Sequence, residues 1–214
     1  MKRGEVVAGT KTALVTGASK GIGRCYALQL AELGYNVVMV SLSESGLKET
    51  AEEVARVNSR VWVRHYAKDL ATITAAEELF AWTEQEDIKV DVLINNAGMF
   101  SFCDILNTPT ERIERTILLH DMTTTKMCRI YADDMAKRGG GYILNMSSYS
   151  IWMPYPGLSL YSASKAYLKS FSVAFSKEVR EKGVYVTVIC PAGIATDLYG
   201  LSKDLQKFGI KAVH

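Results

Sequence analysis

What the sequence lacks narrows it first. It has no apolar run of about 18 residues, the length a helix needs to cross a bilayer, so no membrane partner is expected. Met1 to Thr10 carries no apolar stretch of signal-peptide type. Cysteine is scarce, and Cys25, Cys103, Cys128 and Cys190 stand apart with no CxxC pair. That spacing excludes a zinc ribbon and suits free thiols in a reducing compartment better than a disulfide framework. The three histidines are dispersed, so no metal centre is expected. Neither sign of charge dominates: 25 basic residues face 23 acidic ones, a net charge of +2. Such a balance offers no footprint for nucleic acid or for a charged membrane surface. No internal repeat, low-complexity tract or linker divides the chain. The expectation is a cytoplasmic protein whose 214 residues form a single domain around one sizeable core.

What is present is an alternation. Thr12 to Thr16 is a short apolar strand that runs into a glycine-rich turn. Helical periodicity follows from Ile22 to Leu33 and stops at Gly34, a natural helix terminator. Asn36 to Val40 is continuously apolar, as strands buried on both faces are. Leu47 to Val57 reads as a helix, Arg60 to His65 as a third strand, and Ile73 to Glu86 as a helix with an acidic outer side. Val90 to Ile94 is a fourth strand, ending in Asn95-Asn96-Ala97-Gly98. Pro109 to Arg138 reads as one long helical region, broken near Asp121 and closed by Gly139 to Gly141. The strand Tyr142 to Met146, a helix from Tyr161 to Lys182 and a strand from Val184 to Cys190 follow. Strands alternating with helices are the mark of βαβ units. They predict an α/β fold: a Rossmann-like, doubly wound parallel sheet with helices on both faces.

The turn after the first strand reads Thr16-Gly17-Ala18-Ser19-Lys20-Gly21-Ile22-Gly23. Glycines there allow a tight turn and let a diphosphate approach the backbone, while the helix start favours the anion. The spacing is G-x-x-x-G-x-G, not the commoner dinucleotide fingerprint G-x-G-x-x-G. An acidic residue at the end of the second strand would bind a ribose 2′-hydroxyl and select NAD. Ser41 and Leu42 stand there instead, and Lys20 adds a positive charge, so NADP(H) is favoured and NAD(H) remains possible. Glu44 weighs the other way.

Further along, Tyr161 and Lys165 are four residues apart on a predicted helix and so share one face. Ser147 and Ser148 end the preceding strand, which brings a hydroxyl, a phenol and an amine to the edge of the sheet where ligands bind. A free phenol has a pKa near 10, and a neighbouring ammonium lowers it towards a useful general acid or base. A hydroxyl beside it can hold a developing oxyanion.

The glycine turn, Asn95–Gly98, the paired serines, Tyr161-Ser162-Ala163-Ser164-Lys165 and the Pro191–Thr196 stretch, in this order, resemble a classical short-chain dehydrogenase/reductase. The resemblance runs from about Thr12 to Thr196. It implies that Gly17, Ser19, Lys20, Gly21, Ile22 and Gly23 cradle the cofactor. Asp69 and Leu70 would meet the adenine, Asn95, Ala97 and Gly98 would line the ribose and brace the sheet, and Ile194 and Thr196 would hold the carboxamide. Ser148, thirteen residues before Tyr161 as the family has it, would be catalytic with Tyr161 and Lys165. Lys165 would also hold the nicotinamide ribose.

The chain departs from the family pattern at three places. His120 falls where the family carries an asparagine that supports a water-mediated proton path from the lysine. It is either a proton relay or a buried core histidine with a backbone partner. Ala192 stands where glycine often follows the proline. Family members continue through another helix and strand, so the expectation is a domain without them, its tail from Thr196 amphipathic at Leu198, Leu201, Leu205 and Phe208. Trp152, Met153, Tyr155 and Tyr199 suggest a hydrophobic ketone, alcohol or acyl substrate bordered by Met99–Cys103, Ser150–Leu158 and Asp197–Leu205. The resemblance also implies a homodimer or homotetramer built on the long helices. The expected activity is NADP-dependent carbonyl reduction or alcohol oxidation. The alternative is a nicotinamide-binding sensor or scaffold of weak turnover, and an isomerase or dehydratase on the same scaffold is also open.

Overall fold

The computed structural model describes residues 11–100 and 102–192. Strands β1 (Thr12–Thr16), β2 (Asn36–Ser41), β3 (Val63–Ala67), β4 (Val92–Asn95), β5 (Gly141–Met146) and β6 (Val184–Ile189) form one sheet. Its order is β3-β2-β1-β4-β5-β6, and every pairing is parallel. Between the strands run α1 (Gly21–Glu32), α2 (Glu44–Val57), α3 (Ala75–Gln85), α4 (Thr110–Ile117), α5 (Thr124–Lys137) and α6 (Ser159–Val179). This is the expected doubly wound α/β fold, with helices on both faces of a parallel sheet.

Side-chain alternation in β1 explains why both faces are covered. Ala13 and Val15 pack with Ala27, Leu30 and Ala31 of α1 and with Leu47 and Val54 of α2. Leu14 points the other way, into a second core with Leu79 of α3, Met127 and Tyr131 of α5, and Val179 of α6. A strand buried on both faces has no polar side to show, so its sequence is a continuous apolar run.

Helix ends place the loops. α1 stops where Gly34 adopts φ of 87°, a left-handed conformation that glycine takes without steric cost. Its N–H donates to the Ala31 carbonyl at 2.9 Å and the Tyr35 N–H to the Leu30 carbonyl at 2.9 Å. These paired bonds satisfy the last carbonyls of the helix and turn the chain into β2.

One expectation needs correction and another is sharpened. The third strand starts at Val63, not Arg60, because Asn58 makes a turn first: its Oδ1 accepts the Arg60 N–H at 3.1 Å. The long helix is interrupted near Asp121 as expected, but by a change of helix type rather than a break in the chain's winding. Leu118–Thr123 is a π-helical turn that joins α4 to α5 and carries His120 and Asp121. Such wider turns recur at functional sites because they swing side chains out of α-helical register.

Strand order reverses beside β1, which pairs with both β2 and β4. Loops leaving the carboxyl ends of β1 and β4 therefore part to opposite sides and open a crevice. The core beneath it is tight. Replacing Leu93 of β4, which is 0% exposed, with alanine is expected to cost about 2–5 kcal/mol of unfolding free energy by chemical denaturation.

Candidate active site

A cavity of about 280 Å³ lies over the carboxyl ends of the strands. Its walls bring together Gly17, Ser19, Lys20, Gly21 and Ile22 after β1, Ser41 and Leu42 after β2, and Lys68, Asp69 and Leu70 after β3. Asn96, Ala97, Gly98 and Met99 follow β4, and Ser147, Ser148, Tyr161 and Lys165 close the far end.

The glycine turn is shaped by contact. Gly17 has φ of 68°, and a Cβ on it would stand 2.9 Å from the Ala97 Cα. A Cβ on Gly23 would stand 2.3 Å from the Gly17 carbonyl oxygen, so α1 can approach the turn this closely only without a side chain there. Thr16 holds the opposite loop: its Oγ1 accepts the Asn96 N–H at 3.0 Å and the Ala97 N–H at 2.9 Å. Ser19 and Ser41 hydroxyls share a 2.8 Å hydrogen bond that ties the turn to the end of β2.

The start of α1 has no side-chain cap and no acidic residue in its first turn. Its first N–H groups thus face the cavity unsatisfied, with the positive end of the helix dipole behind them. An anionic diphosphate fits this chemistry. The narrow glycine cradle fits it as well, because any Cβ at Gly17 or Gly23 would push the backbone away from such a ligand.

At the far end three polar side chains meet under low exposure. Ser148 is 7%, Tyr161 6% and Lys165 4% exposed. The Ser148 Oγ accepts the Ser150 N–H at 3.2 Å, which leaves its own proton to donate into the cavity. Its neighbour Ser147 is committed elsewhere, donating to the Lys165 carbonyl at 2.7 Å and bracing α6 against β5. Lys165 Nζ donates to the Met146 carbonyl at 2.9 Å and lies 5.8 Å from the Tyr161 ring centre. Burial pulls the Lys165 ammonium down to about 8, with the Asp121 carboxylate acting in the opposite direction.

His120 is fully buried, and both ring nitrogens are engaged. Nε2 accepts the Met99 N–H at 3.0 Å. Nδ1 lies 2.8 Å from the Ser164 Oγ, whose own proton goes to the Tyr161 carbonyl at 2.8 Å. These partners assign the neutral ring with its proton on Nδ1. Burial, and then the nearby Lys165 charge, hold its pKa well below the usual histidine value. Of the two expectations for this position, the geometry matches the buried histidine with a backbone partner. Gly98 makes room for it, since a Cβ there would stand 3.1 Å from the His120 Nε2 and 3.4 Å from the Lys165 Nζ.

Not every residue singled out by the sequence reaches the cavity wall. Asn95 lies beneath it, donating 2.8 Å to the Asn145 Oδ1 between β4 and β5. Asn96 takes the wall position instead. Gly23 shapes the cradle from behind. Asp69 is on the wall, but Oδ1 accepts the Ala71 N–H at 2.8 Å and Oδ2 accepts from the Arg115 guanidinium at 2.9 Å. Burial pushes its carboxyl up, and these two partners outweigh that and hold it low. Glu44 pairs with Lys48 and His65 on α2 and β3, off the cavity. Ile194, Thr196, Tyr199 and the Asp197–Leu205 segment lie outside the described residues. Met99, expected to border the substrate, is on the wall; sequence reasoning missed Lys68, Arg115 and Leu119 there. Arg115 and Asp69 are 46 positions apart, and no local signal pairs them.

Apolar side chains border the Tyr161 end. Phe100 packs edge-on against Tyr161 at 5.0 Å, and Phe102 stacks on Tyr155 at 6.3 Å. The Cys103 N–H donates to the Gly157 carbonyl at 2.9 Å, joining the two bordering loops. Trp152 is turned onto Lys169, whose Nζ lies 4.7 Å from its ring centre.

The short chain dehydrogenase family model matches residues 11–206. A very-long-chain 3-oxoacyl-CoA reductase of Pyricularia oryzae is 36% identical over 179 residues, which are 83% of this chain and 54% of that protein. The mouse 17-beta-hydroxysteroid dehydrogenase type 3 is 34% identical over 191 residues, 87% of this chain and 61% of its own. The chain thus spans about half the length of the curated relatives it matches. Among solved structures, a short-chain dehydrogenase from Sphingobium yanoikuyae in complex with NADPH superposes with a TM-score of 0.85 at 29% identity. That match covers 94% of this chain and 79% of the other. The bulky-bulky ketone specific alcohol dehydrogenase from Comamonas testosteroni gives a TM-score of 0.82 at 30% identity, covering 87% and 74%.

Two outcomes test this geometry. Gly23→Ala should loosen dinucleotide binding by about tenfold in titration calorimetry, since the Gly17 carbonyl must move aside. His120 is neutral when folded and titrates near 6.5 when unfolded, so below that pH the unfolded chain binds the extra proton. Stability contributed by His120 is therefore present above about pH 6.5 and lost as pH falls. Urea midpoints taken from pH 7 down to about pH 5 should show this decline in the wild type and a shallower one in His120→Asn.

Proposed function

The chain belongs to the short-chain dehydrogenase family, and on that premise we propose that it moves hydride between NADP(H) and a hydrophobic ketone, alcohol or acyl substrate. The observation that carries the reading is one cavity with a glycine cradle at one end and Ser148, Tyr161 and Lys165 at the other. A bound reduced nicotinamide would supply hydride to a carbonyl carbon. Tyr161 gives the carbonyl oxygen its proton as general acid, and the Ser148 hydroxyl holds that oxygen while negative charge develops on it. Lys165 keeps a positive charge beside the phenol and favours its ionised form. Oxidation of an alcohol runs the same steps in reverse.

The cradle would be formed by Gly17, Ser19, Lys20, Gly21, Ile22 and Gly23, with Asp69, Leu70, Ala97 and Gly98 along the adenosine half. Lys20 and the Ser41 hydroxyl, with no carboxylate on the wall at the end of β2, support NADP(H) over NAD(H). The NADPH complex of the Sphingobium relative agrees with that preference. Phe100, Phe102 and Tyr155 support an apolar substrate, as do the acyl-CoA, hydroxysteroid and bulky ketone in the relatives' names. A homodimer or homotetramer on the outer faces of α4, α5 and α6, where Ile117, Met122, Tyr167 and Val173 are exposed, completes the proposal. Four free thiols are in keeping with a cytoplasmic setting. Among the described residues no helix is long and apolar enough to cross a membrane.

A second reading, a nicotinamide-binding sensor with weak turnover, is favoured only by His120, whose ring is committed to packing bonds.

Ketones and alcohols of increasing apolar bulk, assayed with NADPH and NADH, separate the two. Tyr161→Phe is expected to lower kcat by about 10²–10⁴ while the cofactor dissociation constant stays nearly unchanged. Tight cofactor binding with no turnover on any substrate, and no loss in Tyr161→Phe, would overturn the enzyme reading in favour of the sensor. Lys20→Ala should weaken NADPH by about tenfold and NADH little, because only the former carries the extra phosphate.

A further inference from the structure

We infer that Arg115 is a specificity-determining residue for the adenine end of the cofactor, its guanidinium meeting the base while Asp69 holds it in place. The inference rests on the dinucleotide reading proposed above. The order of the sheet locates that end. The glycine cradle follows β1 at the centre, and Ser148, Tyr161 and Lys165 lie beyond it on the β5 side. A dinucleotide with its diphosphate in the cradle and its nicotinamide beside Tyr161 must send its adenosine half the other way, over the ends of β2 and β3. Asp69 and Leu70 line the cavity there.

Arg115 reaches this end from the opposite side of the crevice. It belongs to α4, which follows β4, and its guanidinium donates to the Asp69 Oδ2 at 2.9 Å across 46 positions of chain. The helix and the turn after it are anchored to both loops of the crevice. Arg112 donates to the Phe100 carbonyl at 2.8 Å, and the Thr123 hydroxyl to the Leu70 carbonyl at 2.8 Å. Leu119, one turn after Arg115, is on the wall with it. A planar cation and two leucines thus stand where a flat base with apolar faces has to lie. A guanidinium stacks on such a face, whereas the compact ammonium of a lysine does not.

Asp69 serves by fixing that cation. Its Oδ1 accepts the Ala71 N–H at 2.8 Å and its Oδ2 the Arg115 guanidinium, so both oxygens are engaged. Among the described residues it is the sole carboxylate on the wall, and the pairing cancels a charge that would otherwise face the cofactor's phosphates. Holding the long arginine in one place also lowers the entropy lost when a ligand settles on it. Both side chains are 34% exposed, and an ion pair this open to water adds little to folding. Its position on the cavity wall gives it a use in binding.

The test is binding by the full chain of ADP, inosine diphosphate, adenosine and nicotinamide mononucleotide, by calorimetry or, for the weaker ligands, by NMR titration. Arg115→Ala should weaken ADP and adenosine by about tenfold each and leave nicotinamide mononucleotide unchanged. Arg115→Lys keeps the charge but not the plane and should lose nearly as much. Asp69→Asn should weaken ADP by about threefold alone and add no further loss to Arg115→Ala, because it acts through the guanidinium. Inosine diphosphate should bind the wild type nearly as well as ADP, since the face of the base is met and not its amino group.

Equal ADP affinity in the wild type and both Arg115 variants would overturn the inference. So would a loss for ADP that adenosine does not share, or one that Arg115→Lys restores, because either identifies a phosphate contact. A preference for ADP over inosine diphosphate that survives Arg115→Ala would give the base to Asp69 instead. Each of these outcomes leaves the dinucleotide reading standing. A wild type that binds none of the adenine ligands would overturn that reading and this inference together.

Discussion

A buried ammonium sets the terms for the site. Lys165 sits almost without solvent, where a charge is stable only if dipoles and counter-charges replace water. The Met146 carbonyl at the end of β5 supplies one dipole, and the Asp121 carboxylate supplies the opposing charge. Both come from elements whose placement is fixed by the cores on either face of the sheet. Holding the lysine also holds α6: its carbonyl accepts from Ser147, and the carbonyl of Tyr161 one turn earlier accepts from Ser164. The residues proposed to carry the chemistry are thus buried like a core, although each is polar.

The opposite end of the cavity depends on absence of bulk as well as on charge. Gly17 and Gly23 let β1, α1 and the loop after β4 come within a distance no side chain would permit. Thr16 completes that junction with one hydroxyl that accepts two N–H groups. It donates its own proton to the Ile94 carbonyl at 3.3 Å. A dinucleotide of fixed length would reach from this narrow end, where Lys20 and the start of α1 lie, to the end around Lys165. The wall between them is the carboxyl edge of the sheet.

Much of this was legible in the sequence, and the reason is local. Continuous apolar strands, a helix stopped at Gly34 and a tyrosine four residues from a lysine each reflect neighbours along the chain. So did the order of the motifs, which fixed the family and the parallel sheet. The third strand was set too early because Arg60, Val61 and Trp62 have strand-like side chains, whereas the Asn58 turn before them is a backbone event. The resemblance implies for Asn95 both a place at the ribose and a brace for the sheet; its side chain bonds Asn145 within the sheet, and Asn96 is the one on the wall. The partners of His120 come from a loop 21 positions earlier and a helix 44 positions later. Arg115 meets Asp69 across 46 positions of chain. Such contacts are properties of the assembled layers, and no window of sequence contains them.

The π-helical turn at Leu118–Thr123 has a consequence for how the protein can vary. A helix that passed straight from α4 to α5 would have a single phase, and any change in the facing of one half would rotate the other. The wider turn shifts the phase between them. α5 can keep Met127, Tyr131 and Met135 locked against the sheet while α4, with Arg112 on the Phe100 carbonyl and Arg115 on Asp69, answers to the mouth of the cavity. Selection on what enters the site can therefore remodel α4 without disturbing the core behind it.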